Sequence, residues 1–307
     1  MRSAKVRLAA WLVLLLSAGA APADAPAVQA PAEKQPRQFM RLSRDKDNAP
    51  LALETAIVRC APVKGDQRRL TVDLVAAVHI ADAAYYEQLN REFKKYDAVL
   101  YELVAPENAK PPKQTDRPSS NMLSRIQNGM KDILDLQFQL KGIDYTRKNL
   151  VHADMSPDQF ARSMQDRGES VWTMVGRMLE YAWSQENQGN GVTDGELLAA
   201  LFDKNRPLAL KRVLAEQFAQ SEGALSALEG PNGSTLISGR NKVALGVLRK
   251  EIANGKTKIA IFYGAGHMPD FEKRLRSDFG LAPVSTRWLA AWNLKPAEKT
   301  KPEAKRP

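Results

Sequence analysis

The chain is poor in the side chains on which metal sites and secreted scaffolds usually rely: it has one cysteine and three histidines in 307 residues. Cys60 alone cannot form an internal disulfide or a cysteine-ligated zinc site, so stability must rest on the core. A buried, unreactive role is expected for it. No H-E-x-x-H occurs, which excludes a standard zincin, and no G-x-S-x-G elbow occurs for a serine hydrolase, for which Ser234 is a poor substitute. No internal repeat is visible. The long apolar run at 8–16 is too short for a comfortable membrane span. The excess of positive over negative charge is small once the ends are set aside. Of the net +10, Arg2, Lys5 and Arg7 supply +3 and residues 295–307 another +3, leaving +4, too little to argue for a nucleic-acid partner.

What is present is 44% hydrophobic residues, enough for a substantial core. Residues 1–20 have the layout of an export signal, a basic start, an apolar stretch and an Ala18-Gly19-Ala20 cleavage site. The mature protein is therefore expected to be periplasmic or secreted with no stable membrane span, an uncleaved anchor being the alternative. Residues 21–38 are rich in Ala and Pro and read as a flexible linker. Residues 39–294 are expected to form one domain, and 295–307 a disordered basic tail.

Within that domain the expected class is α/β, a central, mostly parallel sheet with flanking helices. Strands at 51–59 and 69–78 flank a Gly65-Asp66 turn and predict an antiparallel hairpin. Asp82 is placed to cap a helix carrying Tyr86, Leu89, Phe93 and Tyr96 at helical spacing, and a strand follows at 97–103. Strand, helix and strand in this order predict parallel strands whose C-terminal ends share one edge, the edge where open α/β sheets bind ligands. Residues 119–230 read as a helical insertion, interrupted by an apolar run near 149–155 and by a capping-box start at Ser156 with Pro157 and Gln159. It holds Met122, Met130, Met155, Met164, Met174 and Met178, six of the nine methionines, for which core packing is the expected use. A helix at 240–253, a strand at 258–263, a Gly264-Ala265-Gly266 turn and a helix at 271–279 repeat the opening pattern. A final run at 284–294 with Trp288 and Trp292 is expected to add an edge strand.

Three chemically useful residues stand just past apolar runs: His79 after LTVDLVAAV, Glu102 after DAVLY and His267 after KIAIFYGAG. Two imidazoles and a carboxylate at one sheet edge make a ligand set for a divalent metal with an open position for water. Zinc, manganese, cobalt and iron all accept such a set. Glu102 could instead act as a general base. Arg240 and Asn241, at a helix start, could orient a substrate carbonyl, surface capping being the plainer alternative. His152 with Asp154 is a secondary candidate, read mainly as structural.

The stretches A-A-V-H-I-A-D-A-A-Y-Y, Y-D-A-V-L-Y-E, G-R-N and Y-G-A-G-H-M-P-D-F together resemble the TraB/GumN/TIKI superfamily, whose hallmarks are two G-x-x-H motifs, an intervening glutamate and an Arg-Asn pair. The resemblance matches His79 to the first histidine, Glu102 to the glutamate, Arg240 and Asn241 to the pair, and Gly264 and His267 to the second motif. Gly266 lies inside that motif. Ala76 stands where the first motif usually has glycine, and Gly239 where many relatives have glutamate. The resemblance implies a fold akin to the erythromycin esterase and haem-binding lipoprotein group. It also implies a metal-dependent hydrolase, since TIKI members are manganese- or cobalt-dependent proteases. The leading expectation is thus an exported hydrolase using Mn²⁺, Co²⁺ or Zn²⁺ on a peptide or small-molecule substrate. The rivals are a non-catalytic haem- or metal-binding protein and a metal-free α/β-hydrolase-like esterase.

Overall fold

A computed structural model describes residues 37–63, 69–106, 134, 136–170, 194–220, 229 and 233–296. The expected signal, most of the linker, most of the tail, the Gly65-Asp66 turn and Met122, Met130, Met174 and Met178 lie outside the described residues. In chain order the elements are β1 (Met40–Arg44), β2 (Pro50–Pro62), β3 (Thr71–Ala77), β4 (Ile80–Ala81), α1 (Ala83–Phe93), β5 (Ala98–Tyr101) and β6 (Gln137–Phe138). Then come α2 (Gln139–Gly142), β7 (Leu150–His152), α3 (Pro157–Asp166), α4 (Asp194–Leu201), α5 (Arg206–Gln220) and a π-helical turn (Thr235–Gly239). The last are α6 (Arg240–Ala253), β8 (Lys258–Gly264), a 3₁₀ turn (Ala265–His267), α7 (Met268–Phe279) and β9 (Leu281–Asn293).

The architecture is mixed α/β. Seven strands form one sheet in the order β1-β2-β3-β8-β5-β7, with β9 also pairing β2. The predicted hairpin of β2 and β3 is antiparallel, and β3, β8, β5 and β7 are mutually parallel. β9 pairs β2 antiparallel along 52–62, as the edge strand its tryptophans suggested. β3, β8 and β5 read as nearly unbroken apolar runs, as strands buried on both faces do, and β5 is buried at every position. Asp73 is the exception inside β3. Its carboxylate accepts a bidentate pair from Arg59 and the Tyr96 hydroxyl, so the buried charge is matched. No described helix is long and apolar enough to cross a membrane.

β3 and β5 are parallel in one sheet, as expected, and β8, arriving some 160 residues later in the chain, lies between them. Two sequence expectations need correction. The middle stretch is not simply helical: β7 joins the main sheet beside β5, with Tyr101 opposite His152, and Phe138 lies in a short strand pairing β4. Asp82 is the N-cap residue of α1, as expected, but its side chain makes no capping hydrogen bond. Its carboxylate instead receives Lys211 at 2.5 Å and the Asn293 amide at 2.6 Å, tying α5 and β9 to the start of α1. The Ser156 capping box forms as predicted.

Candidate active site

Each of the four parallel strands delivers one residue from its C-terminal end to the same place. His79 follows β3, His267 closes the turn after β8, Glu102 directly follows β5, and Asp154 lies two residues beyond β7. Adjacent register brings Ala77 opposite Gly264, so the two histidine-bearing turns start side by side. The point of convergence is Gly264. A Cβ built there would stand 3.4 Å from Glu102 Oε2, 3.7 Å from His79 Nε2 and 3.8 Å from His267 Cδ2. The three residues expected to converge therefore do so around a space that a methyl group would fill.

The floor of the site is sealed, and its carboxylates are paired with Arg240. The Glu102 carboxylate accepts the Gly264 amide at 2.8 Å on Oε2 and an Arg240 guanidinium N–H at 2.8 Å on Oε1. Arg240 also forks onto Asp154, at 2.9 and 2.5 Å. Burial pushes the Glu102 pKa up, but His267 and Arg240, with smaller help from His79 and the Gly264 amide, outweigh it and bring the carboxyl to about 2. Arg240 is held firmly charged by Asp154 and Glu102 against the cost of its burial.

His267 is 7% exposed. Burial lowers its pKa, partly opposed by Glu102, so the neutral ring is favoured near pH 7. Its tautomer follows from Asn241. The Asn241 Nδ2 donates to the His267 carbonyl at 3.1 Å and to Asp270 at 2.8 Å, both obligate acceptors, so Oδ1 must be the atom facing His267 Nδ1 at 2.7 Å. Nδ1 therefore carries the hydrogen, and the Nε2 lone pair faces Glu102 Oε1 at 3.6 Å. Two acceptors confront each other with no proton between them. Tyr263 and Phe271 hold the ring from its sides, and the Tyr263 hydroxyl donates to the Ala153 carbonyl.

His79 is exposed at the mouth, yet its backbone is pinned. The Val78 carbonyl accepts the Tyr86 hydroxyl at 3.1 Å, the His79 carbonyl the Gln139 amide at 2.9 Å, and the Ile80 carbonyl the Trp292 indole at 2.7 Å. Its Nδ1 lies 3.1 Å from Gln139 Oε1.

Compared with known families, known proteins and solved structures, the chain matches none. The site is thus read from its own geometry. Neutral imidazole nitrogens and a carboxylate are a suitable donor set, and ligand-bearing histidines commonly donate their other N–H to an oxygen as His267 does. A spacing of 3.6 Å between Nε2 and Oε1 is one that two ligands of a single ion, each bound at roughly 2.1 Å, can span. Among the described residues no three His, Cys, Asp or Glu side chains are already drawn together tightly enough to hold an ion. The two oxygens of Glu102 are occupied by Arg240 and Gly264, but a carboxylate has about four lone-pair positions, so acceptor capacity is left.

The other candidates fall into place around this set. Arg240 and Asn241 are buried, so they are neither surface caps nor free to face a substrate carbonyl; their polar atoms hold Glu102 and His267 in position. Asp154, rated as mainly structural from the sequence, belongs to the site through Arg240. His152 does not, since its Nε2 donates to the Leu103 carbonyl at 2.6 Å and its ring packs near Tyr101. Gly266 sits in the 3₁₀ turn with an ordinary backbone, and Gly239 is crowded, a Cβ there meeting Met155 and Ser234 at 3.3 Å. The Ser234 hydroxyl caps the π-helical turn and donates to Glu229, a structural use. A separate cavity of 580 Å³ beside α3, lined by Gln159, Arg162, Ser163, Asp166 and Arg167, has none of the converging histidines. Sequence reading missed Gln139, Tyr145 and Asp270. For Asp154 a signal existed, a carboxylate just past an apolar run, as for Glu102.

Proposed function

We propose that the protein is an exported, metal-dependent hydrolase with a peptidase as the leading class. The reading is carried by one observation: the His267 Nε2 lone pair and the Glu102 carboxylate face each other at 3.6 Å beside the glycine where His79 also arrives. Such a pair calls for a cation between them. His79, Glu102 and His267 would hold a divalent ion, Mn²⁺, Co²⁺ or Zn²⁺, which when bound supplies Lewis acidity and a water of lowered pKa. A carboxyl with a pKa of about 2 is a weak base, so Glu102 serves better as a fixed anionic ligand than as a proton acceptor. Arg240 and Asn241 act as positioning residues, Arg240 steering the carboxylate and Asn241 fixing the ring of His267. The exposed side of His79 marks where a substrate would approach. Hydrolysis and peptides as substrate come from the TraB/GumN/TIKI resemblance, and export from the pattern of residues 1–20.

The test is metal analysis of protein purified without chelator or polyhistidine, followed by peptide and ester cleavage with and without each ion. Metal-dependent cleavage lost in His79→Ala and His267→Ala supports the proposal. Binding weaker than millimolar, or equal binding by both variants and wild type, sinks it. The rival of binding without turnover predicts ion or haemin uptake with no cleavage of any substrate.

A further inference from the structure

His79 and His267 differ in burial, but each has a side-chain amide at its Nδ1: Gln139 for His79 and Asn241 for His267. The Asn241 orientation is dictated by the obligate acceptors around it. Gln139 is placed with similar care by a different route. It is 4% exposed, its backbone N–H donates to the His79 carbonyl, and the β4–β6 ladder sets Phe138 opposite Ile80 just beside it. Its Nε2 lies 3.1 Å from the Tyr145 hydroxyl, leaving Oε1 toward the imidazole. The whole segment is docked on α1. Asn90 donates to the Gly142 carbonyl at 2.7 Å and accepts the Asp144 amide at 3.0 Å, and a Cβ at Gly142 would overlap the Tyr86 ring.

We propose that Gln139, braced by Tyr145, is a positioning residue that holds His79 as the Nδ1–H tautomer, so that its Nε2 lone pair faces the Glu102–Gly264 space as that of His267 does. Free neutral histidine in water favours the opposite, Nε2–H form, so the orientation is imposed by the fold. The middle stretch thereby contributes a part of the site that neither end of the domain supplies. The proposal deepens the metal-site reading, yet it concerns the metal-free protein and is tested there.

With three histidines, long-range ¹⁵N–¹³C correlation spectra of the metal-free protein at about pH 8, above the ordinary imidazole pKa, read every ring's tautomer. His152 serves as internal reference, because donation to the Leu103 carbonyl makes it Nε2–H. The expected spectrum has His79 and His267 as Nδ1–H and His152 as Nε2–H. Gln139→Ala is expected to move His79 to mainly Nε2–H and leave the other two unchanged, while Gln139→Glu, which keeps an acceptor oxygen, retains the wild-type pattern. An Nε2–H His79 in the wild type overturns the proposal even if the variants fail to fold. So does a His79 tautomer unmoved by Gln139→Ala. Neither result bears on whether the protein binds a divalent ion, which is measured separately.

Discussion

His79 and His267 end neighbouring parallel strands, yet one stands in solvent and the other is sealed in the floor. The buried one is fixed by its own part of the chain: Asn241 from α6 and Asp270 from α7, both within thirty residues of it. The exposed one is fixed by a segment about sixty residues away, through Gln139. A sheet edge therefore supplies equivalent backbone positions without supplying equivalent environments. The floor doubles as core structure, whereas the mouth can change without unfolding the domain.

The comparison breaks most visibly at Asp154. Asp154→Ala leaves Arg240 buried with one carboxylate fewer, and removing one partner of such a pair costs about 3–5 kcal/mol. The midpoint of chemical denaturation is expected to fall accordingly; an unchanged midpoint contradicts a sealed floor. Asn241→Leu strands the Nδ1–H of His267, an unsatisfied buried donor worth about 1–3 kcal/mol, by the same measurement.

Acid sharpens the contrast further. The His267 pKa is lowered on folding, so the unfolded chain takes up that proton first and stability starts to fall below the ordinary imidazole value of about 6.5. The depressed Glu102 adds stability that is complete above the usual carboxylate range and is lost as pH falls toward 2. Thermal midpoints across this range should decline less steeply below about pH 4.5 in Glu102→Gln than in wild type. An identical slope would remove Glu102 from the account of acid stability.

At the mouth the expected stability effects are small. His79→Ala should change unfolding free energy by less than about 0.5 kcal/mol, as exposed substitutions do, while removing divalent-ion affinity. A large loss of stability would mean that the mouth is core after all.

Much of this was legible in the sequence because parallel strands are apolar throughout and end abruptly in polar turns. His79, Glu102 and His267 each follow such a run, and all three converge. Strand order was not legible. Periodicity describes the faces of a strand and says nothing about its lateral neighbour, so the insertion of β8 between β3 and β5 left no local trace. β7 is three residues long and β6 two, too short for an alternation to stand out. Gln139 was hidden for the same reason, since its role depends on a pairing between two-residue strands. Arg240 and Asn241 were visible as residues, but their burial depends on the π-helical turn before α6 and on Asp154 from the middle stretch.

The central claim is that His79 and His267, 188 positions apart in the sequence, serve one ion. Titrating Zn²⁺ into the metal-free protein while following the ring nitrogens of the three histidines tests it directly. The account predicts that the Nε2 signals of His79 and His267 move together to metal-bound positions, complete at one equivalent, with His152 unmoved. Movement of only one of the two, or of neither at millimolar Zn²⁺, would contradict it.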